Sequence, residues 1–206
     1  MSATKPSIRG RIFAPAMEDL RKLVAHGVVS REDLKRWLGP SDLKLYDAEL
    51  LEIEWYDVRA YGHLLAALRD LEGHGDDDYL RARGARSAER LLNAGLYQQL
   101  EYLDRLQSKG FESSEQRFVA FGKDLKLLSS ISAAIFNFTK WTTKVDPDQS
   151  RRYRIEISEA LDFPDPLALT LEGFVNRMAR QHGDPDLWRI VRARPDLFVL
   201  KMIREL

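Results

Sequence analysis

Between Arg151 and Ser158 apolar and polar residues alternate, with Tyr153, Ile155 and Ile157 on one side and Arg152, Arg154, Glu156 and Ser158 on the other. That alternation is the signature of a half-buried strand. Phe163-Pro164-Asp165-Pro166 stops it. Asp165 is suited to accept from orphan backbone N–H groups and Pro166 to occupy the first helical position, where no N–H is needed. The pattern then turns helical: Leu167, Leu171, Phe174, Val175 and Met178 share a stripe that predicts a helix ending near Gly183. Leu187 to Ala193 and Leu197 to Ile203 read as two more strands, joined through Arg194-Pro195-Asp196. The carboxyl-terminal order is strand, helix, strand, strand.

Upstream the pattern is helical. Residues 1–14 read as loosely structured, and Ala16 to His26 as a short helix closed by Gly27. Ser30 with Asp33 resembles a capping box and opens a second helix that ends at Gly39-Pro40; Ser41 caps a third, to about Leu51. Ile53 to Val58 is a join, from which Asp57 caps a helix with the seam Val58, Tyr61, Leu65 and Leu68. After the loop Gly73 to Asp78, a helix to Ala94 presents Leu80, Gly84, Ala85, Ala88 and Leu91, whose small residues admit a second backbone. An amphipathic run follows Gly95, striped by Leu96, Leu100, Leu103 and Leu106. Ser113 or Ser114 caps the longest helix, predicted to reach about Lys140 along Phe118, Phe121, Leu125 and Leu128, with residues 131–138 apolar all round. Thr142 to Ser150 reads as a polar loop. These elements predict one α+β domain over residues 1–206: a helical amino-terminal two-thirds, then a small antiparallel sheet packed on helices. Residues 1–52 form a helical extension of an α+β core at 53–206.

Composition narrows the function. Lys plus Arg and Asp plus Glu both number 32, so net charge is zero, and no general attraction to nucleic acid or an anionic membrane is expected, although a local basic face is compatible with that balance. The absence of cysteine excludes disulfides, thiolate metal sites and cysteine nucleophiles. No stretch approaches a membrane span and the amino terminus has no apolar signal core, so a cytoplasmic, bacterial protein is expected.

Candidate chemistry is sparse. His63 lies opposite its helix seam and should face solvent, while His26 and His182 precede Gly27 and Gly183 at helix ends. His74 beside Asp76, Asp77 and Asp78 needs no metal, since the aspartates suit the start of the next helix. Arg83, Arg86 and Arg90 form a solvated charged face. Arg81 instead projects toward the apolar side, either snorkelling or awaiting a carboxylate, for which Glu156 and Glu159 are the internal partners considered. Tyr97, Phe118, Tyr153 and Phe174 are the aromatic residues that, with Arg81, would line a ligand cavity between the long helix and the sheet. No phosphate loop, nucleophile elbow or cooperating carboxylate pair is present, so no catalytic residue, cofactor or metal is assigned.

Ile8-Arg9-Gly10, then Glu54-Trp55-Tyr56-Asp57-Val58 with Tyr61, Leu64 and Leu65, and the Gly84, Ala85 and Ala88 helix resemble a family of uncharacterised proteins multiplied as paralogues in myxobacteria. Tyr153-Arg154-Ile155-Glu156, Phe163-Pro164 and Glu172-Gly173-Phe174 are similar to that family and to the wider haem-NO-binding, four-vinyl-reductase-like and TRAPP-subunit domains. The resemblance implies a helices-first, sheet-last fold and a ligand-binding or dimerising module. The Tyr-x-Ser-x-Arg haem-propionate signature and the cysteine metal motif of those groups are absent here, so haem and metal are not carried over. The resulting expectation is a non-enzymatic regulatory or sensory module for a small hydrophobic or amphipathic ligand. The alternative is a ligand-free interaction adaptor acting as a homodimer or with a protein partner, through the Gly84 face or the carboxyl-terminal strand edges.

Overall fold

The computed structural model describes residues 5–93, 113–180 and 183–206. Tyr97, His182 and the Leu96 to Leu106 run lie outside them. The described chain runs β1 (Ser7–Arg9), α1 (Gly10–Ala25), a 3-10 turn (Asp33–Arg36), α2 (Pro40–Asp47), β2 (Trp55–Asp57), α3 (Val58–Glu72), α4 (Asp77–Asn93), α5 (Ser114–Ser132), β3 (Lys140–Asp146), β4 (Gln149–Ser158), α6 (Asp165–Arg180), β5 (Trp188–Arg194) and β6 (Leu197–Met202). The fold is α+β. Among the described residues no helix is long and apolar enough to cross a membrane.

The amino terminus is more ordered than its sequence suggests. Ser7–Arg9 forms a strand antiparallel to Trp55–Asp57, with Ile8 opposite Tyr56 and fully buried. α1 begins at once, at Gly10, because only glycine fits there: a Cβ would lie 2.0 Å from the Leu51 carbonyl oxygen. α1 then runs through Pro15. The Ser30–Asp33 pairing does form, Ser30 Oγ accepting from the Asp33 amide at 3.1 Å and donating to its carboxylate at 2.6 Å, yet only a 3-10 turn follows. Gly39-Pro40 sets the next start instead: α2 begins on Pro40 rather than Ser41, and the Asp42 carboxylate accepts from the Gly39 amide at 3.0 Å.

Asp57 caps α3 as its position predicts, accepting from the Arg59 amide at 2.9 Å. Burial alone would raise its carboxyl. Hydrogen bonds from the Arg59 guanidinium, from Lys5 and from the Arg59 amide outweigh burial and hold it at about 2. The group is depressed in the folded state, so its stabilisation is full above the unfolded value of about 3.9 and is lost as pH falls through about 2. Urea midpoints measured from about pH 4 to about pH 2 are expected to fall less steeply in Asp57→Asn than in the parent. Parallel curves would contradict this.

The longest described helix ends at Ser132, short of the expected Lys140. The hydroxyls of Ser129, Ser130 and Ser132 donate to the carbonyls of Leu125, Lys126 and Ser129, and such back-bonding competes with helix continuation. The chain then turns, Phe136 bridges to Ile8, and the expected polar loop is the strand β3. Its half-buried positions Trp141 and Thr143 pair with Ile157 and Ile155, and Val145, exposed near the end of the strand, pairs with Tyr153.

The main sheet is wholly antiparallel in the order β3-β4-β6-β5. Ile155 faces Leu200, which faces Ile190, so one face is continuously apolar and covered by helix and loop side chains. Phe13, Met17 and Leu20 of α1, Leu64 and Leu68 of α3, and Ile155, Trp188 and Leu200 of the sheet belong to one buried cluster.

α4 and α6 cross at backbone contact. A Cβ on Gly84 would sit 1.8 Å from the Thr170 carbonyl oxygen, and one on Gly173 would sit 1.8 Å from that of Arg81. The small-residue face of α4 is therefore occupied inside the chain. Arg83 is also placed otherwise than expected. It is buried, not solvated, because α1 covers that side of α4: Nη2 donates to Asp19 at 2.7 Å, and burial there is matched by a charge-paired carboxylate.

Candidate functional site

Helix α6 carries a polar ridge, Glu172 and Asn176, one turn apart. Both side chains reach the outer edge of β5, the last strand of the sheet. Asn176 accepts from the Trp188 amide at 2.7 Å and donates to its carbonyl at 3.0 Å, as a neighbouring strand would. Glu172, 2% exposed, accepts from the Ile190 amide at 2.8 Å through Oε2 and from Arg81 Nε at 2.7 Å through Oε1. Two side chains thus close half of an edge that would otherwise present unpaired backbone groups, and they lock α6, α4 and β5 into one rigid corner.

That corner borders a cleft of about 550 Å³, walled by α4, α6, β5 and the turn at Asp186. Ala82, Ala85 and Gly173 keep it open, and four guanidinium groups reach it, from Arg81, Arg177, Arg180 and Arg189. Arg81 is engaged by Glu172 and by Asp78, the latter at 2.9 Å. Arg177 Nε donates to Glu89 at 2.9 Å, while its buried Nη1 has no hydrogen-bond partner among the described residues. Arg189 donates at 2.8 Å to the Trp188 carbonyl. No ion pair within the described residues engages Arg180 or Arg189. Asp186 is the one lining carboxylate without an ion pair among the described residues; the four guanidinium groups and the four carboxylates of the lining balance in number, but Arg81 holds two of the carboxylates, so the pairing leaves Arg180 and Arg189 open. Planar guanidinium groups without a carboxylate match carboxylate or phosphate oxygens in bidentate fashion.

The residues singled out in the sequence separate in space. Arg81 lines the cleft, and its partner is Glu172; Glu156 instead pairs with Lys144 and Arg154, and Glu159 with Lys140. Phe118 and Tyr153 meet each other beneath the sheet, stacked with centroids 4.2 Å apart, and the Tyr153 hydroxyl donates to the Phe118 carbonyl at 3.1 Å. Burial, with the charge of Glu115, pushes the Tyr153 phenol up. Phe121 stacks on Trp188, so side chains fill the space between α5 and this part of the sheet. Phe174 is half-buried, its backbone amide against Gly84. Neither Phe118, Tyr153 nor Phe174 lines the cleft. His63, half-exposed, has Nδ1 2.8 Å from the buried Asp42 carboxylate. His74 occupies a left-handed turn position, φ 53°, where Asp76 accepts from the Asp78 amide and Asp77 pairs with Arg69.

Arg177, Arg180 and Arg189 were not reachable as a group from sequence. Their one legible signal is the ridge Glu172, Asn176 and Arg180, polar residues four apart on a helix whose opposite stripe is apolar. Compared with known proteins, the chain matches no family, no curated protein and no solved structure.

Proposed function

We propose that the protein is a non-enzymatic, cytoplasmic regulatory module that binds a small amphipathic ligand, the ligand's anionic group seated in the cleft between α4, α6 and β5. The observation that carries this reading is the pair Arg180 and Arg189, two guanidinium groups without a carboxylate partner among the described residues, in an open cleft whose walls are fixed by the Glu172 and Asn176 bonds. A rigid, prearranged wall lowers the ordering cost of binding. Ala82, Ala85 and Gly173 offer the ligand's apolar part a surface without side-chain bulk. The resemblance of the Tyr153 and Glu172 segments to ligand-holding domains favours the same class.

Native mass spectrometry of freshly purified protein tests it. The expected result is an added mass that is lost on denaturation and is absent from the Arg180→Gln/Arg189→Gln variant. A ligand at about one hundred times its Kd stabilises the fold by about 2.7 kcal/mol, so the parent's thermal midpoint should exceed the variant's by roughly 5–10 °C when the ligand is retained. A bare mass in both proteins, with equal midpoints, would overturn the reading. It would favour a partner-binding adaptor, for which the free edge of β3 and its exposed Val145 speak. Lys140, Lys144 and the irregularity at Val145/Asp146 nonetheless guard that edge against strand addition.

A further inference from the structure

The register of the main sheet places four cations in one row on its outward face. Lys144 of β3 is opposite Arg154 of β4, Arg154 is opposite Lys201 of β6, and Lys201 is opposite Arg189 of β5. Strands lie about 4.8 Å apart, and like charges directly opposed across strands destabilise a sheet. Glu156, in the next row, relieves one end by pairing with Lys144 at 2.7 Å and Arg154 at 2.6 Å. Within the described residues no ion pair engages Lys201 or Arg189. Two cations of the row thus share a single carboxylate and the other two have no ion pair among the described residues, which leaves the row strongly positive in a chain whose total charge is zero.

We propose that this face docks on an anionic phospholipid surface. The face is a broad sheet, matched to a planar array of phosphates rather than to a single ion. Just beyond β6, Ile203 lies two residues from Lys201, and on β5 Val191 lies two residues from Arg189; Ile203 and Val191 are each 45% exposed, whereas Val199 is buried. Cations flanked by exposed aliphatic groups suit a headgroup layer, where charge meets phosphate and the aliphatic groups enter the interface. The outward positions of the four strands carry no aromatic ring on which bases would stack and no amide to read their edges, so the observations favour lipid over single-stranded nucleic acid.

The test is co-sedimentation of the full chain with phosphatidylcholine vesicles containing about 30% phosphatidylglycerol, against phosphatidylcholine alone, at low and at high salt. Binding is expected only to the anionic vesicles and only at low salt. Each cation near such a surface is worth roughly five-fold in partitioning, so Lys201→Gln should lower binding about five-fold and Lys201→Glu about 25-fold. Because Lys201→Glu also relieves the like-charge row, its thermal midpoint should equal or exceed that of the parent, which separates lost docking from lost folding. Arg189 belongs to both the cleft and the row, but Lys201 does not line the cleft and Arg180 is not in the row, so Arg180→Gln should leave vesicle binding intact and Lys201→Glu should leave the ligand's added mass intact, which tells failure of one reading from failure of the other. Three results would overturn the proposal: no sedimentation with anionic vesicles at low salt, sedimentation unchanged in Lys201→Glu, or tighter, Lys201-dependent binding to an oligothymidylate, which would reassign the face to nucleic acid.

Discussion

Gly84→Ala is expected to lower the thermal midpoint by roughly 6–12 °C, a loss of about 3 kcal/mol for a chain of this size. The sign is what makes the experiment informative. In an exposed helix interior, alanine is better than glycine by about 1 kcal/mol, so a Gly84 turned to solvent would give a more stable protein. Here the added methyl meets the Thr170 carbonyl at 1.8 Å and the Phe174 amide nitrogen at 2.8 Å. Both are backbone atoms and cannot rotate away, so the helices must separate and surrender the packing around the crossing. Gly173→Ala should act alike, against the Arg81 carbonyl. The double variant should lose less than the sum, because helices already forced apart accommodate the second methyl. Guanidinium unfolding of the four proteins measures all three quantities.

Glu172→Ala should cost about 3–5 kcal/mol, the range for removing one member of a buried ion pair. The loss has two parts: the Ile190 amide is left without an acceptor, and Arg81 keeps only the exposed Asp78. Glu172→Gln, which retains one carbonyl oxygen, should lose about half as much. A double-mutant cycle with Arg81→Met separates the parts. Strong coupling between the two sites is expected, with a remainder assignable to the β5 edge; additive losses would mean that the Arg81 contact contributes little.

The contrast between these two sites and the sequence shows what pattern reveals. The alternation of Tyr153, Ile155 and Ile157 depends on neighbours in the chain and is found where expected; the helix start is displaced by one residue, since Asp165 is already helical and its carboxylate accepts from the Arg192 guanidinium instead of capping. Asp57 as a cap is equally local. β3 was hidden because only Trp141 and Val145 mark its apolar face, with a threonine between them. Arg83 reads as solvated until α1 is laid over it. The cleft is the least legible feature: Arg81 and Glu172 are 91 positions apart, and which arginines stay open depends on which carboxylate each has already taken. Composition counted 32 cations and 32 anions, a balance that conceals both the open arginines of the cleft and the sheet's outward row.

The first strand has a consequence for synthesis. Ile8 pairs with Tyr56 on one side and bridges to Phe136 on the other, and the Asn137 side chain accepts from the Ser7 amide at 2.7 Å and donates to the Lys5 carbonyl at 3.1 Å. Those contacts span 130 positions. At about 5–20 residues per second, a ribosome needs roughly 7–26 s to deliver Asn137 after Ser7. Within that interval Ile8 gains Tyr56 once residue 56 is made but still has no second neighbour, so the nascent chain carries an open strand edge beside an apolar side chain. That window is when a holding chaperone would have most to bind, and slowing translation before residue 136 should lengthen it.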